Sequence, residues 1–250
     1  MKTLALVLFG LVATALVKAE DFPASEKFAQ TYPVSAQAEL FLSNINGSIE
    51  IIAWDKNEIS LEAEKRTITA ENLPKIRIEI DATPDHVTIK TEHQKTGWFG
   101  SNVKGVVRYK LHVPADINLR KIESVNSNIT IRDVNGEMIA STVNGSIHVT
   151  DVITSAWLKT VNGNIEASIG SSDQARTIET KTVNGSCTFV LNSNLAAKVY
   201  ASTVNGHINS SLPLTLMKTS RTKLEGHMGQ GVEATIEAKT VNGNIAFNSE

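Results

Sequence analysis

The sequence has a single cysteine, Cys187, and this scarcity excludes two common ways of stabilising a protein. One cysteine forms no intramolecular disulfide and builds no closed zinc site from thiolates. An exposed free thiol is a liability in the oxidising compartments outside the cytoplasm. The position of Cys187 in the repeat described below leads us to expect a buried thiol that serves packing and is not reactive.

The chain also lacks clusters of basic residues. It has 24 Lys and Arg against 26 Asp and Glu, and no basic run or basic face stands out. Phosphate backbones and anionic lipid surfaces are bound by concentrated positive charge. Nucleic acid is therefore disfavoured as a partner, and so is an anionic membrane surface.

Motifs for catalysis and metal binding are missing as well. The six histidines form no close metal-spaced pair, and none accompanies Ser and Asp in a triad motif. Calcium-binding repeats place Asp among glycines, whereas the turns of this chain carry Asn. We therefore predict that the protein is not an enzyme, with no catalytic residues, no metal ligands and no cofactor-binding residues.

Only one long hydrophobic run is present, at the start of the chain. Lys2 precedes the uncharged stretch 4–17, and compact side chains follow at Val17 and Ala19, where signal peptidase cleaves. We expect residues 1–19 to be a signal peptide, with an uncleaved N-terminal anchor as the alternative. Cleavage removes two lysines and leaves 22 basic against 26 acidic residues, a net charge of −4. The mature chain is then expected to be periplasmic or extracellular, without a transmembrane segment.

The Asn-Gly dipeptide is abundant and nearly regular in its spacing. It occurs seven times, and we interpret each copy as a structural turn: Asn46-Gly47, Asn135-Gly136, Asn144-Gly145, Asn162-Gly163, Asn184-Gly185, Asn205-Gly206 and Asn242-Gly243. Five copies extend to Thr-Val-Asn-Gly. A degenerate copy, Val125-Asn126-Ser127, lies nine residues before Val134-Asn135-Gly136. The glycines at 145, 163, 185 and 206 are 18, 22 and 21 residues apart. This interval is typical of one coil with two strands and two turns.

The residues after each glycine alternate as in half-buried strands. Two positions after it the side chain is always apolar: Ile49, Met138, Ile147, Ile165, Cys187, Ile208 and Ile245. One position after it the side chain is polar in every copy. This contrast of period two predicts a column of buried side chains in which Cys187 replaces an isoleucine.

The Asn-Gly pair also suggests a mechanism for the turns. Both residues tolerate positive φ, so they bend a strand sharply at little steric cost. Stacked coils bring equivalent Asn side chains about 4.8 Å apart, which allows a ladder of amide hydrogen bonds. A simple Asn-Gly hairpin is the alternative for any single copy. The regular spacing favours an all-β, single-domain β-solenoid, a β-helix-like stack of coils of about 18–22 residues.

The repeat also divides the chain. We expect an irregular lead-in over residues 20–35, an N-terminal β region over 36–115 that packs on the solenoid, and the Val-Asn-Gly repeat solenoid over 116–250. Residues 210–231 lack the motif and contain Pro213 and three glycines, so we interpret them as an insertion or hairpin before the last coil. No long helix is predicted after the signal peptide.

Several segments match a known pattern in both order and spacing. They are Asn-Ile-Asn-Gly-Ser-Ile at 44–49, AWDKNE at 53–58, LHVPADINL at 111–119, GHMGQG at 226–231 and TVNGNIAF at 240–247. With them, the chain resembles the bacterial putative-adhesin domain family of unknown function, in which Val-Asn-Gly-x-Ile turns repeat along a β-solenoid. The resemblance covers nearly all of residues 36–250. It implies the solenoid fold and an adhesin-like role, and it brings no catalytic residues.

Four aromatic residues are candidate surface contacts. Trp98 and Phe99 lie between two glycines in a polar loop. There they either touch a partner or a membrane interface, or fold back over the end of the sheet. Trp157 and Tyr200 share an outward column two coils apart and are suited to stacking on sugar rings. Ordinary surface aromatics on a strand explain this second pair equally well.

Three functional hypotheses follow. The first is an exported, non-enzymatic structural or interaction protein of the bacterial envelope, adhesin-like, whose partner is an envelope or cell-surface protein or glycan. The second is a carbohydrate-binding or carbohydrate-cleaving solenoid that uses the face with Trp157 and Tyr200. The third is an envelope-stress component that senses a small ligand or peptide. Outward carboxylates are sparse, and Glu179 beside Lys181 is typical of a solvated ion pair, which argues against cleavage.

Overall fold

Alternation of apolar and polar residues produces strands along the whole described chain. The structure is a computed structural model, and it describes residues 22–96, 101–172, 174–192, 195–231 and 234–250. These residues form one short 3-10 helix, Ala70–Lys75, and the following strands: β1 Ala24–Pro33, β2 Glu39–Ser43, β3 Ile49–Trp54, β4 Glu58–Thr67, β5 Ile76–Ala82, β6 His86–His93, β7 Lys95–Thr96, β8 Ser101–Asn102, β9 Gly105–Pro114, β10 Asn118–Glu123, β11 Ile129–Arg132, β12 Met138–Ser141, β13 Ile147–Val152, β14 Ala156–Lys159, β15 Ile165–Ile169, β16 Arg176–Lys181, β17 Cys187–Leu191, β18 Ala197–Ser202, β19 Ile208–Ser210, β20 Thr215–Thr219, β21 Lys223–Met228, β22 Ala234–Lys239 and β23 Ile245–Ser249. The predicted all-β class is confirmed.

The strands form two large mixed sheets and one small hairpin, β7–β8. Sheet A has ten strands in the order β1-β4-β9-β3-β11-β13-β15-β17-β23-β19. Sheet B has eleven strands in the order β20-β21-β18-β22-β16-β14-β12-β10-β2-β6-β5. Neighbouring strands are parallel in the middle of both sheets, whereas the outer strands β1, β4, β5, β20 and β21 run antiparallel to their neighbours.

The chain passes alternately through the two sheets, and we call each passage from a sheet B strand to the next sheet A strand a rung. Eight rungs stack within the described residues, in the spatial order β6–β9, β2–β3, β10–β11, β12–β13, β14–β15, β16–β17, β22–β23 and β18–β19. Equivalent motif positions pair with each other: Ile147 pairs with Ile129 on one side and with Ile165 on the other. Each motif rung therefore repeats the inner side chains of the rung below it.

Spatial order departs from chain order at both ends of the stack. The rung β2–β3 lies between β6–β9 and β10–β11, although both of these follow it in sequence. The rung β22–β23 lies between β16–β17 and β18–β19, both of which precede it. Residues 36–115, expected to pack on the repeat, thus contribute two full rungs to the stack. Residues 210–231, expected to be an insertion or hairpin, contain the hairpin β20–β21 at the edge of sheet B.

The inner faces of the two sheets enclose one apolar core. The predicted column runs through it in register, except for Met138, which lies on β12 of sheet B: Ile49, Ile129, Ile147, Ile165, Cys187, Ile245 and Ile208. All members are buried except Ile208, which is half-buried at the end of the stack. The expected burial of the Cys187 thiol is confirmed. Two positions further on, Phe189 stacks on Phe247 with ring centroids 5.0 Å apart.

The irregular lead-in predicted over residues 20–35 is wrong for its described part. Ala24–Pro33 forms β1, which pairs antiparallel with β4 along its whole length. This strand lies at the edge of sheet A, and its half-buried residues recur at every fourth position. The period-two alternation that identifies a strand in the sequence is therefore weak there.

Two of the sequence predictions fall on residues outside the described part of the chain. They are the signal peptide, residues 1–19, and the loop contacts Trp98 and Phe99. Among the described residues, no helix has the length and hydrophobicity that a membrane-spanning helix requires.

Candidate functional site

Six of the seven Asn-Gly turns lie along one edge of the stack, where the chain crosses from sheet B to sheet A. There each Asn side chain after Asn46 donates a hydrogen bond from Nδ2 to Oδ1 of the Asn one rung below, at 2.8 Å in every step. We call this row the asparagine corner: Asn46, Asn126, Asn144, Asn162, Asn184, Asn242 and Asn205. At its start, Asn46 Nδ2 donates to the carbonyl of Gly105 at 3.3 Å.

The threonine that opens each Thr-Val-Asn-Gly copy ties neighbouring rungs together. Thr160 and Thr182 are buried, and each donates from Oγ1 to the carbonyl of the turn glycine one rung below, at 2.8 and 3.0 Å. Thr240 and Thr203 do the same at 2.8 Å. An unpaired buried hydroxyl or carbonyl costs free energy, so the threonine hydroxyl and the glycine carbonyl of the neighbouring rung each need the other as a partner. The valine that follows is exposed in four copies, at Val143, Val183, Val204 and Val241, and Val125 of the degenerate copy is exposed as well.

The turn glycine is required because the rungs approach so closely. Of the seven turn glycines, Gly47 alone has positive φ, +105°, so the predicted positive-φ mechanism is wrong for the other six. A Cβ atom on Gly163 would lie 2.0 Å from the carbonyl oxygen of Gly145. A Cβ atom on Gly185 would lie 1.9 Å from the carbonyl oxygen of Gly163. Any side chain at these positions would force the rungs apart.

The polar residue after each glycine forms a second hydrogen-bonded row beside the asparagine corner. Its backbone N–H donates to the side-chain oxygen of the equivalent residue one rung below, at 2.9–3.2 Å: Ser146 to Asn128, Asn164 to Ser146, Ser186 to Asn164, Asn244 to Ser186 and His207 to Asn244. Ser and Asn suit this position because a short side chain with an acceptor oxygen reaches the next backbone N–H.

The Asn135-Gly136 turn lies at the opposite edge, where the chain crosses from sheet A to sheet B. Asn135 Nδ2 donates to Asp116 Oδ1 at 3.2 Å, and Met138 after it is buried on sheet B. The corner position is taken instead by Asn126 from the degenerate copy. The spacing in the sequence indicates that Asn135 lies at the opposite edge. It is nine residues from both Asn126 and Asn144, which is half of one 18-residue interval.

A cap covers the end of the asparagine corner. The carbonyls of Thr222 and Arg221, in the turn between β20 and β21, accept the backbone N–H groups of Thr203 and Ile208 at 3.0 and 3.1 Å. Arg221 Nε donates to the carbonyl of Gly206 at 3.3 Å. This is the bond that the threonine hydroxyl of a further rung would make. The hairpin therefore satisfies backbone groups that another rung would otherwise satisfy.

Trp157 and Tyr200 lie on the outer face of sheet B in one row of paired positions. Trp157 pairs with Ile139 on one side and Glu179 on the other, and the row continues through Glu237 to Tyr200. Trp157 is 36% exposed and Tyr200 38%. The separation of two coils predicted for the pair is wrong, because β22 lies between β16 and β18. The rings stand three strands apart, about 14 Å at about 4.8 Å per strand.

The charged residues between these rings are paired within their own strands. Lys181 forms an ion pair with Glu179, and Lys239 one with Glu237, with the latter N–O distance 2.9 Å. The hydrogen bond to Glu237 raises the pKa of Lys239. Exposed pairs of this kind add little to stability. They leave the row without excess charge, with fixed donors and acceptors between two aromatic rings.

The outer face of sheet A also has ion pairs, and a groove there is lined mostly by charged side chains. His148 Nδ1 lies 3.2 Å from Glu166 Oε2, and Arg132 lies 3.3 Å from Glu50. A groove of about 380 Å³ opens near β1, β4 and β9, and most of its lining side chains are charged: Lys27, Glu50, Glu62, Glu64, Arg108 and Lys110. No three His, Cys, Asp or Glu side chains within the described ranges come together as a metal-ligand group.

Cys187 and Tyr109 are ionisable residues buried within the apolar core. Burial raises the pKa of the Cys187 thiol to about 11 and that of the Tyr109 hydroxyl to about 12. The Tyr109 hydroxyl lies 2.7 Å from Thr91 Oγ1, so its hydrogen-bonding need is met inside the core. A buried, protonated thiol is a poor nucleophile.

Neither a protein-family model nor a curated protein sequence matches the chain. Solved structures do match it. A putative cell adhesion protein from Clostridium sporogenes is 12% identical with a TM-score of 0.56, over 91% of this chain and 100% of the other. A putative adhesin from Bacteroides fragilis is 11% identical with a TM-score of 0.44, over 90% and 98%.

A third match is a putative lipid binding protein from Parabacteroides distasonis, 11% identical with a TM-score of 0.34, over 90% of this chain and 96% of the other. Of these three, the Clostridium sporogenes protein alone has a TM-score above 0.5. At 12% identity this likeness shows a shared fold. The chain is thus similar in fold to a bacterial protein named for cell adhesion.

Proposed function

We propose that the protein is an exported, non-enzymatic interaction protein of the bacterial envelope with an adhesin-like role. We further propose that its rungs form a flattened β-solenoid and that the outer face of sheet B contacts an envelope or cell-surface protein or glycan. Export rests on the signal peptide predicted for residues 1–19. The fold shared with the Clostridium sporogenes protein supports the role at the level of architecture.

One observation carries the choice of surface. On the outer face of sheet B, Ile139 and Trp157 pair directly and are 42% and 36% exposed, and Tyr200 lies in the same row. Neighbouring strands are hydrogen-bonded on both sides of β12 and β14, so these side chains stand on a rigid support. Exposed aromatic and aliphatic groups beside paired charges are typical of the centre and rim of a binding surface.

Site-specific photocrosslinking tests this surface. The mature protein carries a photoreactive side chain either at Ile139, on sheet B, or at Thr130, on the outer face of sheet A, and is irradiated with an envelope extract. We expect a discrete crosslinked product from position 139 that Trp157→Ala diminishes, and none from position 130. No product from 139, or the same products from both positions, would contradict the proposal.

A second candidate function, glycan binding without cleavage, is favoured by the row that contains Trp157 and Tyr200. Aromatic rings stack on sugar rings, and the ion-paired Glu179 and Glu237 between them supply oriented acceptors. Binding to a glycan array, compared between the wild type and a Trp157→Ala/Tyr200→Ala double variant, tests this. The control is Trp54→Ala on the opposite sheet, which should leave binding unchanged. Absent binding, or equal binding by all three proteins, would remove the candidate.

A further inference from the structure

The last rung of the described chain fills a gap between two rungs that precede it in sequence. Strand β22 pairs with β16 on one side and β18 on the other, and β23 pairs with β17 and β19. We call the space between the rungs β16–β17 and β18–β19 the slot. The slot is bounded on both sides by chain that is synthesised before its occupant.

The occupant is bonded to both walls of the slot by the same motif contacts. On one side, Thr240 Oγ1 donates to the Gly185 carbonyl and Asn242 Nδ2 to Asn184 Oδ1, both at 2.8 Å. On the other side, Thr203 Oγ1 donates to the carbonyl of Gly243 at 2.8 Å, and Asn205 Nδ2 donates to Asn242 Oδ1 at 2.8 Å. The slot therefore recognises a Thr-Val-Asn-Gly rung on both faces.

Apolar contacts add to this recognition. Ile245 lies in register between Cys187 and Ile208, and the ring of Phe247 stacks on that of Phe189 at an interplanar angle of 13°. Burying side chains of this size stabilises the rung in its place by removing apolar surface from water. A rung with Ile and Phe at these two positions is thus distinguished from an arbitrary strand.

The walls of the slot also match each other. Ile178 of β16 and Val199 of β18 both pair with Ile236 of β22, so the two walls share one register. If the rung β22–β23 leaves, β18 can pair with β16 in the same register, and Asn205 can donate to Asn184. The empty slot therefore closes without leaving a row of unpaired backbone groups, and removal of the rung is less costly than for an ordinary inner strand.

We propose that the slot is an exchange site that accepts the rung β22–β23 of a second copy of this chain. The rung of one copy replaces that of the other in a reciprocal pair, as in domain swapping. The connection to β22 contains Gly229 and Gly231, both at positive φ, +70° and +121°. A Cβ atom on Gly229 would lie 2.7 Å from the Leu195 carbonyl oxygen, whereas one on Gly231 would meet nothing within 4 Å. Gly231 therefore gives this connection the freedom that a change of path requires.

A labelled peptide tests the slot in the full-length protein. A fluorescent peptide of residues 232–250 is incubated in excess with the protein, and the two are then separated by size. We expect the protein to retain peptide in a fraction that rises with peptide concentration and saturates at one peptide per chain, because the resident rung competes for the slot. The same peptide with Gly243→Ala should be excluded, because its added Cβ would lie 1.9 Å from the Gly185 carbonyl oxygen. Failure of the wild-type peptide to bind, or equal retention of both peptides, would overturn the proposal.

A disulfide lock separates the slot from other binding surfaces. Cys187 pairs in register with Ile245, so an oxidised Ile245→Cys variant joins the resident rung to its wall. Neighbouring strands stand about 4.8 Å apart, within the Cα separation that a disulfide spans. We expect the oxidised variant to exclude the peptide and reduction of the same sample to restore binding. Peptide bound equally by the oxidised and reduced forms would place it elsewhere and refute the slot.

Two tagged full-length copies then test the partner. After joint incubation, capture of one tag should recover the other in the wild type and in the reduced Ile245→Cys variant, and fail in the oxidised variant. Co-capture that the lock does not alter, or none at any concentration at which the peptide binds, would refute exchange between copies.

Discussion

The asparagine corner makes a quantitative prediction about where along the stack an amide matters. Asn162 takes part in two ladder bonds at 2.8 Å: its Nδ2 donates to Asn144 and its Oδ1 accepts from Asn184. Asn205, at the end of the row, donates to Asn242 and accepts from no other ladder member among the described residues. Replacing Asn162 with Ala therefore removes two bonds, and the same change at Asn205 removes one.

The expected magnitudes follow from the net value of a hydrogen bond, about 1 kcal/mol. Asn162→Ala should lower the free energy of unfolding by about 2 kcal/mol and Asn205→Ala by about 1 kcal/mol. For a chain of this size each kcal/mol corresponds to about 2–4 °C in Tm. The first variant should thus melt about 4–8 °C below the wild type and the second about 2–4 °C below it.

Thermal and urea unfolding followed by circular dichroism measure both values. Asn135→Ala is the matched control, because Asn135 makes a single bond of 3.2 Å to Asp116 at the opposite edge. It should behave like the end position. Equal losses at positions 162 and 205, or a larger loss at 135 than at 162, would show that the ladder bonds of the corner do not determine its stability.

Three other predictions concern packing, pH and chemistry. Gly163→Ala should destabilise by about 3 kcal/mol in urea unfolding, because its Cβ would lie 2.0 Å from a carbonyl oxygen; a loss below that of Asn162→Ala would contradict this. Burial raises the pKa of Cys187 to about 11 and of Tyr109 to about 12, so both favour folding at neutral pH and lose that effect at high pH. Stability should fall as the pH rises from about 9 to 12, and Cys187→Ala should flatten the lower part of the fall. Finally, Asn46-Gly47 and Asn205-Gly206, at the two ends of the corner, should deamidate before the inner turns, because neither Gly47 nor Gly206 donates its N–H to an acceptor in the described chain, whereas the N–H of the inner Gly163 is held by the next rung. Peptide mass mapping after alkaline storage checks the order, and equal rates at inner turns would contradict it.

Much of the rung was predictable because its pattern is local. The apolar residue two positions after the turn glycine predicted the buried column for every copy except Gly136, and the burial of Cys187 followed from its place in it. The role of the glycine was not predictable in the same way. Positive φ is a property of one residue, whereas the contact that requires Gly163 is made with a carbonyl one rung away, 18 residues earlier in the chain.

The order of the rungs was hidden for a related reason. All motif rungs share one register, so a sequence pattern that predicts stacking does not determine which rung lies on which. Strand β22 pairs with β16 and with β18 in the same register. The sequence therefore did not show that β22 lies between them, and the separation of Trp157 and Tyr200 was predicted one strand too short. The 37-residue step between Gly206 and Gly243 marked the place where chain order and spatial order diverge, although it did not show how.

The position of the last rung follows from the need to cap the end of the stack. A repeat whose rungs all match exposes, at its end, a surface ready to bind another rung, and such ends require a different sequence. Here the hairpin β20–β21 and Arg221 occupy that end, so the chain that has built the cap must return inward to place its final motif copy. The slot is where it returns. The cap covers the end of the stack, and a reciprocal exchange of the rung β22–β23 between two copies would give a closed pair.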